Sequence, residues 1–235
     1  MPGPDEALLD DPVEAALSGP HARFALEQGR VRRYQEDVAP FMSMPSSPSA
    51  EDWQDAAALM APGSFAAIRH TGLELPDGWQ TVQEFELVQM VGEDLSGSDY
   101  PEAIALDVAD VPEMTDLVLR TEPGPFLPRT VELGDYLGIR RDGALVAMAG
   151  ERMRLEGWTE ISAVCTDPEY RGQGLASRLM GALIAAIQQR SEGVFLHALA
   201  TNTGAIRLYE ELGFRVRQRA TLDVVIRTPA EGAQA

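Results

Sequence analysis

Apolar residues run through the second half of the chain in two rhythms. From Leu175 to Arg190 they recur every three to four positions, the spacing of a helix with one buried face. Over Tyr136–Arg140, Ala144–Met153 and Thr159–Thr166 they alternate or run together, which predicts three strands. Asp142-Gly143, between the first two, is a hairpin turn signal. Ala103 to Asp107 predicts a further strand. Asp110 then predicts a helix cap, with Pro112 in the first turn and Met114, Leu117 and Val118 on the apolar stripe. Pro123–Arg129 reads as a loop and Thr130 opens a short helical stretch. Phe195–Leu199 predicts a buried strand, and Ala205–Leu212 a helix stopped by Gly213. Phe214–Arg219 and Thr221–Ile226 predict two closing strands. This order predicts a mixed α/β sheet.

The first half has weaker periodicity. Phe24 to Gly29 reads as the end of a helix, and Val31–Tyr34 and Val38–Met42 as short strands. Pro45-Ser-Ser-Pro48 is a loop. Ser49 opens a helix through Met60, with Asp52 in the position of a capping box. Ser64–Ile68 and Thr81–Val91 predict strands on either side of a turn at Pro76-Asp-Gly78. No chemical motif stands out before residue 99. Residues 92–102, GEDLSGSDYPE, predict a boundary between an N-terminal α/β domain over 1–98 and a second domain over 99–235.

Composition narrows the classes. The 235 residues are 45% hydrophobic and 24% charged, as in an ordinary globular protein. All 19 basic residues are arginine, and 37 acidic residues give a net charge of −18. Residues 1–98 carry 17 acidic groups and five arginines, a net −12. That balance argues against binding nucleic acid or an anionic membrane surface. One cysteine excludes an intramolecular disulfide. With only His21, His70 and His197 beside it, no metal site is expected. The opening MPGPDEALLDDP has no apolar core, so it does not read as a signal peptide, and a cytoplasmic location is the expectation.

The chemistry lies between Val164 and Ala176, VCTDPEYRGQGLA. A strand ends at Thr166, a short loop holds Arg171, Gly172, Gln173 and Gly174, and a helix starts at Leu175. Glycines before a helix let several backbone N–H groups converge, and the helix N-terminus adds partial positive charge. Such a loop can form a pyrophosphate cradle to which Arg171 and Arg178 contribute; taken alone, the glycine pair equally suits a plain strand–turn–helix connection. Ser177 in place of a third glycine argues against a dinucleotide-binding fingerprint, and the absence of lysine excludes a P-loop.

Arg171-Gly-Gln-Gly-Leu-Ala176 resembles the R/Q-x-x-G-x-G/A motif of the GCN5-related N-acetyltransferases, although Glu169 stands at the motif's first position. Asn202-Thr-Gly-Ala-Ile-Arg-Leu-Tyr-Glu-Glu-Leu-Gly-Phe214 resembles the family's N-x-x-A-x-x-L-Y-x-x-x-G-F signature. Gly150-Glu-Arg152 and the strand through Cys165-Thr166 resemble the FR47-like branch, which includes glycine N-acyltransferase-type enzymes. The resemblance covers about residues 101–227. It implies a mostly antiparallel sheet flanked by helices, preceded by a smaller α/β part that could be a degenerate copy of the same fold. That part would cover the acceptor side or mediate a homodimer.

The resemblance also implies acetyl-CoA as co-substrate. It would be held by Val164, Cys165, Thr166, Arg171, Gly172, Gln173, Gly174, Leu175, Ala176 and Asn202. Tyr209 falls where the family's general acid sits, with a core aromatic as the alternative reading. Asn202 could equally be a helix N-cap. Glu160 is the candidate general base, four residues before Val164; strict alternation would put both on one face of the sheet. Glu151 is its rival. The Cys165 side chain reads as small and buried rather than nucleophilic, and His197 as a core histidine or a residue lining the pantetheine. The implied reaction is direct acyl transfer to the primary amine of a small or amino acid-like acceptor. A non-catalytic acyl-CoA-binding module and a protein N-acetyltransferase are the alternatives.

Overall fold

A computed structural model of the protein describes residues 5–61, 63–93 and 95–228. The first four residues of the acidic opening, and Asp94 in the expected linker, lie outside them. The strands are β1 (Ala25–Gln28), β2 (Val31–Tyr34), β3 (Phe41–Ser43), β4 (Phe65–His70), β5 (Trp79–Gly92), β6 (Ile104–Leu106), β7 (Tyr136–Arg141), β8 (Ala144–Leu155), β9 (Trp158–Thr166), β10 (Gly193–Leu199) and β11 (Phe214–Arg227). The helices are α1 (Pro12–Leu17), α2 (Ala50–Ala58), α3 (Val111–Thr121), α4 (Leu175–Gln189) and α5 (Thr203–Glu211).

All these strands join one sheet in the order β1-β2-β3-β4-β11-β5-β10-β9-β8-β7-β6. The pairs β3·β4 and β9·β10 are parallel and the others antiparallel, which gives the mixed, mostly antiparallel sheet that the motifs imply. The division expected at residue 98 falls inside this sheet. Strand β5, from the first half, lies between β10 and β11, and β4 pairs with the far edge of β11. Leu9, Leu17 and Phe24 share one apolar cluster with Trp158 and Phe195, so the two halves have a common core. The composition shift at 92–102 marks a surface connection, because strand order is set by pairing between distant segments and leaves no trace in local composition.

Local chemistry explains the elements. The Asp142-Gly143 turn has positive φ at both residues (51° and 86°), the backbone of a type I′ turn whose twist matches the strands it joins. Ser49 and Asp52 form the expected capping box on α2. Ala25–Gln28 is extended after a short 3-10 turn, not the helix end expected there. The two expected closing strands are one strand, β11, with a register shift between Val216 and Gln218. The predicted cap on α3 is displaced: Asp107 accepts from Ala109 N–H at 2.7 Å, while Asp110 makes no side-chain cap bond to α3.

The helices divide between the faces. Leu175, Leu179, Leu183 and Ile187 line one stripe of α4 and pack on Val146, Ile161, Val194 and Leu196, with α5 beside them. The opposite face is covered by α1 near Trp158 and Phe195, and by α3 near Tyr136, Met148 and Cys165. Among the described residues no helix is long and apolar enough to cross a membrane.

Candidate active site

Strands β9 and β10 pair in parallel from Trp158 to Glu160, opposite Gly193 to Phe195. Beyond Glu160 and Phe195 that pairing stops, although β9 continues to Thr166 along β8 and β10 continues to Leu199 along β5. The two strands therefore diverge and leave a wedge in the middle of the sheet. In β9 the pairing with β8 shifts between Ser162 and Cys165, and Ala163 has φ of 52°. The extra residue of this bulge reorients the next side chains along the strand. Ile161 and Val164 both pack toward α4, whereas Ala163 and Cys165 pack toward α3. Strict alternation fails here: Val164 points away from the face that carries Glu160.

Past the wedge, Thr166 leads into the glycine loop. Gly172 and Gly174 have φ of 76° and 73°, a region other residues adopt only with strain, and a Cβ on either would meet nothing within 4 Å. Gly174 is the N-cap of α4 and supplies no side-chain acceptor, so the first-turn N–H groups stay available. Arg171 to Gly174 are exposed. Arg171 Nε donates to the Thr166 carbonyl at 3.3 Å, and Arg178 lies over the Tyr100 ring at 5.3 Å. Arg120 of α3 ion-pairs with Asp167, which offsets one of the two acids, Asp167 and Glu169, that precede the glycines. The Thr166 hydroxyl is buried without a protein partner. This open, donor-rich loop fits an anionic pyrophosphate.

On the α1/α3 face a buried polar network spans the base of the wedge. Glu160 is fully buried and accepts from Arg152 Nε at 2.9 Å, Arg152 Nη2 at 2.6 Å and His197 Nδ1 at 2.7 Å. Burial alone would raise its pKa. The Arg152 charge and these hydrogen bonds outweigh burial and hold the carboxyl down at about 2. Gln89 Nε2 donates to the Leu9 carbonyl at 2.8 Å and to His197 Nε2 at 3.2 Å, while its Oε1 accepts from Arg217 at 3.0 Å. These bonds leave the His197 proton on Nδ1, facing Glu160. Burial lowers the His197 pKa, so the ring is neutral at pH 7. Arg152 also stacks on Phe41 at 4.8 Å.

The remaining expected residues separate in space. Tyr209 is buried on α5 with its ring 6.2 Å from that of Phe214, and burial raises its pKa to about 12. Asn202 accepts from Ala205 N–H at 3.1 Å, the N-cap role. Leu175 is a core residue at the start of α4, whereas Gln173 is exposed and Ala176 half-buried. Cys165 packs with Met148 and Ala163, and burial pushes its thiol up to about 11, as an inert packing residue requires. Glu151 is bound to Arg190 at 2.7 Å. Arg190 is the C-cap of α4, so Glu151 sits toward the far end of a helix about 22 Å long from the glycine loop.

Arg152, Gln89 and Phe41 are not legible in the sequence as site residues. A two-residue turn at Glu156-Gly157 would place Met153 opposite Glu160. The register shift between Glu151 and Arg154 brings Arg152 there as well. His197 could be paired with Glu160 from the sequence, since each stands on a strand beside the wedge. The signal needed is the parallel register of β9 and β10.

Comparison with known proteins agrees with this geometry. The FR47-like protein family model matches residues 136–222. The crystal structure of a putative GNAT-family acetyltransferase from Novosphingobium aromaticivorans is 38% identical with a TM-score of 0.86, over 94% of this chain and 99% of that one. Mycothiol acetyltransferase of Brachybacterium faecium is 35% identical over 103 residues, 42% of this chain but only 30% of its own length. The [ribosomal protein bS18]-alanine N-acetyltransferase of Escherichia coli is 29% identical over 116 residues, 47% of this chain and 78% of that protein. The full-length match to the Novosphingobium structure, together with the glycine loop and the split between β9 and β10, establishes that the chain belongs to the GCN5-related N-acetyltransferase (GNAT) family.

Proposed function

We propose that the protein transfers the acetyl group of acetyl-CoA directly to the primary amine of a small acceptor. The observation that carries this reading is the wedge between β9 and β10 beside the uncapped N-terminus of α4. Bound there, acetyl-CoA supplies the thioester carbonyl that the amine attacks. The N–H groups of residues 172–176 hold the pyrophosphate, with Arg171 and Arg178 adding charge. The bulge at Ala163–Val164 leaves a backbone N–H outside the ladder, in position to donate to the developing oxyanion. Tyr209, kept protonated by burial, donates to the departing sulfur.

Glu160 acts through His197. A carboxylate held at about 2 is a weak base. Its charge can instead stabilise an imidazolium when His197 Nε2 takes the amine proton and Gln89 keeps its bond to Leu9. This is the base-plus-orienting-carboxylate arrangement that other transferases and hydrolases use. The names of the relatives point to two unlike acceptors, mycothiol and an alanine of a ribosomal protein, so the common chemistry is acetyl transfer itself.

The test is twofold. CoA at 100 times its Kd should stabilise the wild type by about 2.7 kcal/mol. Gly174→Asp, which sets a carboxylate in the cradle, should remove that shift. Thiol release from acetyl-CoA should then depend on added amine. A shift that survives Gly174→Asp rules out the cradle, and amine-independent thiol release rules out the transfer.

A further inference from the structure

An apolar groove of about 590 Å³ opens on the α1/α3 face of the sheet, the same face that carries Glu160. Its floor is Ala67 of β4, Leu222, Val224 and Ile226 of β11, and Phe85 of β5. Val82 is the extra residue of a bulge opposite Val224–Val225, so it and Gln83 both line the groove. The far wall is the last turn of α3 and the loop after it, from Val118 to Pro125. Phe65, Val82 and Leu119 are 45%, 51% and 73% exposed here, a clustering that isolated surface apolar residues do not show.

The groove adjoins the reaction site at two points. Phe41 lines it and carries the Arg152 guanidinium that holds Glu160. Val118 lines it and packs on the cluster containing Ala163 and Cys165, in the diverging part of β9. Charge restricts the occupant further. Among the described residues no arginine lines the groove, and the one charged residue in the lining is Glu122, exposed at the rim. A carboxylate is disfavoured beside Glu122, and no cation among the described lining residues would offset one.

Resting on the acetyl-transfer reading above, we propose that this groove is the acceptor site and that the acceptor is a small primary amine with a bulky aromatic or branched aliphatic body and no carboxylate. The volume is in the range of small-molecule sites. The apolar body lies on Phe65, Val82 and Val224, and the amine reaches past Phe41 toward His197.

Calorimetric titration of the CoA complex with phenethylamine, ethylamine and phenylalanine tests this. Burying a phenyl ring should tighten binding about 10- to 100-fold over ethylamine, and phenylalanine should bind more weakly than phenethylamine. Phe65→Ala should weaken phenethylamine at least about 5-fold and leave ethylamine and CoA affinity unchanged. Normal CoA binding with no preference for phenethylamine overturns the acceptor class alone, whereas loss of CoA binding to the wild type overturns the transfer reading. Tighter binding of a peptide with an N-terminal phenylalanine overturns the small-amine occupant. A dimer that Leu119→Asp dissociates, with amine affinity untouched, makes the groove a surface between two copies.

Discussion

Arg152→Met isolates the electrostatic centre of the site. The change keeps most of the side-chain volume and removes the guanidinium that makes two hydrogen bonds to Glu160. In the native protein the Glu160 pKa falls from 4.5 to about 2, and at about 1.4 kcal/mol per unit that is worth about 3 kcal/mol. Because the folded pKa is the lower one, this stability is fully present above the unfolded value and is lost as pH falls from about 5 toward 2. Without Arg152, burial raises the Glu160 pKa instead, and the sign reverses. The variant is then least affected near pH 4, where Glu160 takes up a proton, and most affected at neutral pH. Removing one partner of a buried pair costs about 3–5 kcal/mol, against a total stability of about 5–15 kcal/mol. Urea unfolding followed by tryptophan fluorescence, repeated from pH 4 to 8, reads both quantities. The double variant Arg152→Met with Glu160→Met should recover most of the loss at pH 7.5. A penalty below about 1 kcal/mol at neutral pH, or one that does not change with pH, refutes a buried and mutually dependent pair.

The same geometry sets three further outcomes. If Tyr209 is the proton donor of the proposed mechanism, Tyr209→Phe should lower kcat about 100-fold with CoA affinity unchanged; steady-state thiol release against CoA titration reads the two apart. His21, buried between Tyr34 and the Leu133 carbonyl, has its pKa lowered by burial to about 4. Unfolding frees it to bind a proton, so stability should fall by about 3 kcal/mol as pH drops from 6.5 to 4, and His21→Gln should flatten that part of the pH–stability curve. Cys165→Ala should keep most of the turnover and show no change in pre-steady-state burst, because the buried thiol is packing and the proposed transfer is direct.

The second half of the chain is legible in the sequence where local rules act. The α4 stripe, the Asp142-Gly143 hairpin, the glycine loop and the Asn202 cap each depend on a few neighbouring residues, and each lies within a residue or two of its expected place. What is not legible depends on register between distant strands. Ser162–Cys165 alternates in the sequence, yet the Ala163 bulge turns Val164 toward α4 and away from the face of Glu160. Glu160 reads as an isolated strand carboxylate because Arg152 reaches it only through a second bulge, in β8. Gln89 and Phe41 come from the half with no motif, and they enter the site because β5 pairs beside β10 and because Phe41 meets Arg152 in the folded chain. The same long-range pairing hides the single sheet behind a plausible linker at 92–102.

The most direct measurement of the central claim is a crystal structure of the protein with CoA. The pyrophosphate oxygens should lie within hydrogen-bond distance of the backbone N–H groups of residues 172–176, and the sulfur should sit between β9 and β10 beyond Glu160 and Phe195, within reach of Tyr209. CoA bound along the apolar groove, or a pyrophosphate held away from the α4 N-terminus, would contradict the wedge as the site of transfer.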